Sequence, residues 1–163
     1  MKRRIAGILA CALVLLADQL SKALALGPLD LQNGAVVKAG PMLNLVLVWN
    51  HGITFGMFAG AGGRFVFATV ASLAVLALLA WMWRAQSWVV TIAVGAIAGG
   101  AVGDVIDRVR FGAVVDFLQA HFGALYYPWV FNVGDSAIVC GVLVLMLENL
   151  LARPPVAQDS GER

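Results

Sequence analysis

Four stretches of nearly unbroken apolar residues dominate the chain, at about 5–26, 65–83, 88–105 and 131–151. Each approaches the roughly 20 residues that a helix needs to cross the hydrocarbon of a bilayer. The pattern therefore predicts an all-α integral membrane protein with four transmembrane helices. Only Arg84-Ala85-Gln86-Ser87 separates the middle two stretches, which makes them an antiparallel hairpin. Trp81, Trp83 and Trp88 flank that link, where indole rings settle at a membrane–water interface. The segment between the first two stretches reads differently. Gly27-Pro28 breaks the helix and Asn33-Gly34 signals a turn. Leu29–Gln32, Ala35–Lys38 and Leu43–Trp49 have the β-branched-rich look of short strands. Gly60-Ala61-Gly62-Gly63 then relaxes the chain into the second span. The expectation is a small outward-facing β-sheet or amphipathic segment over about 27–62, lying on the membrane surface. Its edge offers unpaired backbone groups to an extended peptide.

Composition agrees with this pattern. Of 163 residues, 61% are hydrophobic and only 12% charged, against about a quarter charged in a soluble domain. A net charge of +2 without a long basic run argues against a nucleic-acid partner. Cys11 and Cys140 both fall in apolar stretches, where small packing residues are the simplest reading. Lys2, Arg3, Arg4, Arg84, Arg153 and Arg163 gather at one set of span ends, which places both termini and the central link in the cytoplasm. Lys38, Arg64, Arg108 and Arg110 lie in the outward connections and weaken that bias. The amino terminus also resembles a signal peptide, with Leu9-Ala10-Cys11 faintly like a lipoprotein cleavage site. Hydrophobicity that continues to Leu26 favours an uncleaved first span. Residues 1–152 then form one membrane domain, and 153–163, with Pro154-Pro155, a disordered cytoplasmic tail.

Against this background the acidic residues are the chemistry. An ionisable group near bilayer depth is costly and is a functional candidate by default. Asp116 lies in Val114-Val115-Asp116-Phe117, and Asp135 in Phe131-Asn132-Val133-Gly134-Asp135-Ser136. Asp135 falls in the first turn of the fourth span, where the helix dipole favours a negative charge and simple capping would also explain it. Two carboxylates facing each other in an apolar setting would separate their proton affinities and suit acid–base work on one water. Asp18 and Lys22, four apart in the first span, share a helix face and can pair structurally, or Asp18 can hold a group in a neighbouring segment. Asp104, Asp107 and Arg108 end the third span. They read either as a solvated terminus or, for Arg108, as a planar donor fork for a lipid phosphate or peptide carbonyl. Gly99, Gly100 and Gly103 permit close approach of another helix. Asn50 could hydrogen-bond a peptide backbone or tolerate a left-handed turn. The chain calls for no cofactor. Only His51 and His121 offer imidazoles, without a His-Glu-x-x-His arrangement, so a metal hydrolase is a poor reading. A small proton-coupled transporter or proton-conducting membrane protein is the alternative class, weakened by the lack of matched inverted halves.

Four blocks in order carry a family resemblance: Asp18-Gln19-Leu20-Ser21-Lys22, Asn50-His51-Gly52-Ile53-Thr54-Phe55-Gly56, the run Gly99–Arg108 with Val114–Phe117, and Phe131–Ala137. Together they resemble the lipoprotein signal peptidases (signal peptidase II). The resemblance implies a bacterial inner-membrane aspartyl endopeptidase that cuts prolipoproteins just before a diacylglyceryl-modified cysteine. Asp116 and Asp135 would be its catalytic pair. Asn50, Arg108, Asn132 and Asp104 would face the substrate, and Asp18, Lys22, Gly52 and Asp107 would support the site. The implied partners are the lipid-modified prolipoprotein and membrane lipid, with no obligate protein partner evident and the site near the periplasmic face. Trp129 and the surface sheet would cover the peptide. Two positions depart from the family pattern. Asp104 stands where asparagine is usual, which leaves open neutralisation by Arg108, protonation in place, or a different ordering of substrate. Gly134 stands where alanine is usual, a change expected to loosen the backbone before Asp135.

Overall fold

The computed structural model describes residues 1–52 and 63–151. The Ile53–Gly56 part of the second block, the glycine run 60–62 and the tail from 152 lie outside these residues. The described chain is mostly helical, with α1 at Lys2–Leu26, α2 at Gly63–Arg84, α3 at Trp88–Phe111 and α4 at Val133–Leu151. Among the described residues α1, α3 and α4 are long and apolar enough to cross a bilayer. Helix α3 runs six residues past its expected end, because Val105–Phe111 keeps helical backbone until Gly112 (φ 76°) stops it in the left-handed region. Asp104, Asp107 and Arg108 therefore occupy the last turns of a helix rather than a loop.

Helix α3 is the packing centre, with α1, α2 and α4 against it. Glycines make this possible. A Cβ added at Gly95 or Gly99 would overlap the carbonyl oxygen of Gly7 or Cys11 on α1, and one at Gly100 would overlap that of Gly134 on α4. The close approach expected of Gly99, Gly100 and Gly103 is thus present, extended one turn back to Gly95. Because backbone rather than a flexible side chain blocks the space, Gly99→Leu should lower thermal stability in detergent by about 1–3 kcal/mol or more. A variant melting with the wild type would refute this account of α1–α3 packing.

One end of the bundle is tied by the basic amino terminus. Arg3 donates to the Gln86 carbonyl and side chain at 2.6 and 2.9 Å. Arg4 donates to the Trp83 carbonyl at 3.1 Å and lies 4.9 Å over the Trp83 ring. The start of α1 and the α2–α3 link therefore share one end, as the distribution of positive charge requires.

A four-stranded antiparallel sheet, in the order β1-β2-β3-β4, lies at the other end. Its strands are β1 (Val37–Lys38), β2 (Leu43–Asn50), β3 (Val114–Phe122) and β4 (Leu125–Tyr126). The sequence expectation needs two corrections here. Leu29–Gln32 is not a strand: Asp30 sits at φ 46° and Leu31–Asn33 forms a single 3-10 turn. Buried Leu31 packs there with Ala25 and Phe117, while Gln32 donates back to the Leu26 carbonyl. Half of the sheet, moreover, comes from the second connection and not from 27–62. Strand β3 pairs with β2 with Val48 opposite Asp116 and Asn50 opposite Val114. Between Leu45 and Val48 the register shifts, so β2 carries one extra residue against β3. A bulge of this kind re-aims side chains locally. On the other edge of β3, Leu118 bridges to Phe131, which delivers the chain directly into α4.

Candidate active site

The site forms where the carboxyl ends of α1 and α3, the amino end of α4 and strands β2 and β3 converge. Asp116 is 1% exposed and is the third residue of β3. Its Oδ2 accepts from Asn50 Nδ2 at 2.9 Å, and its Oδ1 accepts from Asn132 Nδ2 at 2.8 Å. Burial pushes the Asp116 carboxyl above its ordinary value, while these two amide donors pull the other way.

Asn132 caps α4 and links the acids. Its Oδ1 accepts the Asp135 backbone N–H at 2.8 Å, and its own N–H donates to Asp135 Oδ2 at 3.1 Å. This reciprocal pair is a capping box with asparagine at the cap and aspartate three residues on. The capping role expected of Asp135 is real, and it does not exhaust the side chain. Asp116 and Asp135 both line one cavity of about 630 Å³, together with Asn50, Trp129, Val139 and Cys140. Val139 and Cys140 belong to the exposed apolar face of α4, so the cavity opens beside the lipid-facing side of the bundle.

Behind the cavity lies a buried ionic cluster. Lys22, 3% exposed, reaches Asp18 and Asp107 at 2.8 Å each and Asp104 at 3.1 Å. Asp18 also accepts the Gly134 N–H at 2.9 Å, and Asp107 the Val115 N–H at 3.1 Å. Each of these carboxylates therefore pins the backbone next to a candidate catalytic residue. The expected Asp18–Lys22 pair exists, and Asp18 does hold a neighbouring segment. Gln19 had no assigned role, yet its amide reaches Asp18, Asp107 and the Gly103 carbonyl at 3.2–3.3 Å. An amide inside an otherwise apolar span was the signal for it. Gly103 leaves room for this cluster, since a Cβ there would overlap Asp18 Oδ2.

The two departures resolve in physical terms. The cation that meets Asp104 is Lys22 on α1, and Asp104 Oδ1 also accepts from Asn132 Nδ2 at 3.2 Å. The Arg108 guanidinium instead lies beside the turn after β2, where a Cβ on Gly52 would be 3.0 Å from Nη1. Gly52 takes φ 71° and donates to Asn50 Oδ1 at 2.9 Å. The left-handed residue of that turn is thus Gly52, not Asn50. Gly134 packs closely: its N–H is held by Asp18, and an added Cβ would lie 3.1 Å from the Gly100 Cα.

The family model for signal peptidase (SPase) II matches residues 10–151 of the chain. The chain belongs to the signal peptidase II family. The lipoprotein signal peptidase of Rhodopseudomonas palustris (strain ATCC BAA-98 / CGA009) is 42% identical over 153 residues, covering 91% of this chain and 93% of that protein. That of Nitrobacter hamburgensis is 40% identical over 153 residues, with the same coverage of each chain. A bacterial membrane enzyme solved by the in meso method at 2.3 Å superposes with a TM-score of 0.74 at 26% identity, over 88% of this chain and 87% of that one. Membership of the signal peptidase II family makes the chain a protease and a multi-pass membrane protein, and it decides against the transporter reading.

Proposed function

We propose that this chain removes signal peptides from prolipoproteins by an aspartyl mechanism, with Asp116 and Asp135 as the catalytic pair. The observation that carries the assignment is that both carboxylates line one cavity, joined through the side chain and backbone of Asn132. One carboxylate takes a proton from water as the water oxygen attacks the scissile carbonyl, and the other donates its proton to the carbonyl oxygen. Collapse of the tetrahedral intermediate breaks the C–N bond, and the proton taken from water passes to the leaving amine. The two acids titrate as a pair, so neither role is assigned to one residue. With the Asp116 carboxyl raised by burial, the acid limb of kcat/KM against pH should lie higher than an exposed carboxylate would place it.

Asn50 lines the cavity and offers its amide to a peptide backbone that has lost its helical hydrogen bonds in lipid, with Arg108 beside the Asn50–Gly52 turn. Asn132, whose amide hydrogens go to Asp104 and Asp116, serves the substrate by holding those acids. Asp18, Lys22, Gly52 and Asp107 hold the frame. The opening beside Val139 and Cys140 suits acyl chains, in keeping with a diacylglyceryl-modified cysteine following the cut. Residues 1–152 act as one domain in the bacterial inner membrane, with α2 as the fourth span and both termini cytoplasmic. The site then meets its substrate at the periplasmic face, with Trp129 and the sheet over the peptide.

Purified chain in detergent should cleave a diacylglyceryl-modified prolipoprotein at an equal rate with and without a strong chelator. Absence of cleavage by folded protein, or abolition by chelator, would sink the reading.

A further inference from the structure

Asp104 lies one amide away from the candidate catalytic pair and is not needed to hold the fold in the way its neighbours are. Asp18 and Asp107 each accept a backbone N–H and the Gln19 amide. Among the described residues Asp104 accepts no backbone donor: its contacts there, Lys22 Nζ and Asn132 Nδ2, converge on Oδ1. The same Nδ2 donates its second hydrogen to Asp116 Oδ1 at 2.8 Å. With Oδ1 of Asn132 accepting from Asp135 N–H, the amide has no freedom left to flip.

We propose that Asp104 is a positioning residue: clamped by Lys22, its carboxylate orients the Asn132 amide onto Asp116 and adds a third negative charge beside the catalytic pair. The inference rests on the two-aspartate reading given above. Charged groups surround Asp104 from every element packed there. Asp18 and Lys22 come from α1, Asp135 from α4 and Asp116 from β3, while Asp107 on its own helix shares Lys22. Among these, the Asp104 charge raises the proton affinity of Asp116 and the Lys22 charge lowers it, both as smaller contributions than burial and the amide hydrogen bonds.

Two substitutions separate charge from geometry. Asp104→Asn removes the charge and keeps an oxygen that can accept from Lys22 and Asn132. Asp104→Ala removes both. With one negative charge gone, the catalytic pair loses a proton more readily, so the acid limb of kcat/KM against pH should move to lower pH in both variants. Only Asp104→Ala should also lose kcat, on the order of 100-fold, because a misplaced catalytic group is that costly. A purely structural Asp104 would change melting temperature and leave the pH limb in place.

An acid limb that stays put or moves upward in Asp104→Asn overturns the proposal. So does a folded Asp104→Asn that is inactive at every pH, because it would make the carboxylate itself indispensable. Asp104→Ala supplies the same limb shift should the asparagine variant fold poorly. Asp116→Asn and Asp135→Asn, measured alongside, keep the readings apart. If either still cleaves, the two-aspartate reading fails; if both are dead and the Asp104→Asn limb is unmoved, only this inference fails.

Discussion

Asp116→Asn and Asp135→Asn should each lower kcat for prolipoprotein cleavage by about 10²–10⁴-fold, the range for loss of a positioned general acid or base. The two substitutions are not structurally equal. An asparagine at 135 keeps an oxygen to accept the Asn132 N–H, so the capping box survives. At 116, Asn50 and Asn132 donate one hydrogen to each carboxylate oxygen, and an amide there confronts one of them with its own NH₂. Asp116→Asn should therefore lose some stability as well, about 1–3 kcal/mol for an unpaired buried donor. Melting each variant beside the activity assay separates the two effects. Cleavage near the wild-type rate by either folded variant would show that the pair does not carry the chemistry.

The second large effect belongs to Lys22→Met. Methionine replaces the stem of lysine but none of its charge, and it leaves Asp18, Asp104 and Asp107 facing one another. Removing one partner of a buried ion pair costs about 3–5 kcal/mol. The cluster here is nearly dry, with Lys22 at 3% and Asp18 and Asp107 at 0% and 1% exposure. The expected result is a large drop in melting temperature in detergent, with loss of ordered α4 entry because Asp18 no longer grips the Gly134 N–H in one geometry. A melting temperature equal to that of the wild type would mean that the three carboxylates are accommodated without Lys22, and the cluster would not be what frames the site. Lys22→Arg should restore little, since a planar fork does not reproduce three contacts converging on one ammonium.

The helices were legible because length and apolarity are local properties, and they lie within a few residues of expectation at most ends. The third was extended because its last turns carry Asp104, Asp107, Arg108 and Arg110, which look like a loop to any reading based on hydrophobicity. The carboxylates of Asp104 and Asp107 are met there by Lys22 and Gln19 on another helix, and no local pattern reveals a partner more than 80 residues away. The same limit hid β3. Val114-Val115-Asp116-Phe117 reads as a short apolar connection until Leu43–Asn50 supplies its hydrogen-bonding edge. Leu29–Gln32 failed in the opposite direction: its residues suit a strand, but Leu31 is drawn into the core and Asp30 turns the chain back.

Of the candidate site, the residue identities were readable and their wiring was not. Spacing revealed Asp18 with Lys22, and it suggested Asp104 with Arg108 by the same rule. The first pair holds and the second rule points to the wrong cation for Asp104, because neighbours across a helix interface outrank neighbours along one helix. Asn132 was visible as a candidate substrate contact. Its position as the joint between Asp104, Asp116 and Asp135 follows only from the capping geometry of α4.

The sheet that carries Asp116 is stitched from two connections separated by the whole α2–α3 hairpin, and Asp18 meets Gly134 across 116 residues. A chain still emerging from the ribosome therefore owns no part of a working cutter. With everything up to Phe111 made it has α1, α2 and α3 but neither acid of the pair, and β2 is paired with β1 alone, its β3 edge still open. If Asp116 and Asp135 are the pair, the site is complete only once β3 has paired with β2 and the first turn of the final helix has docked on Asp18.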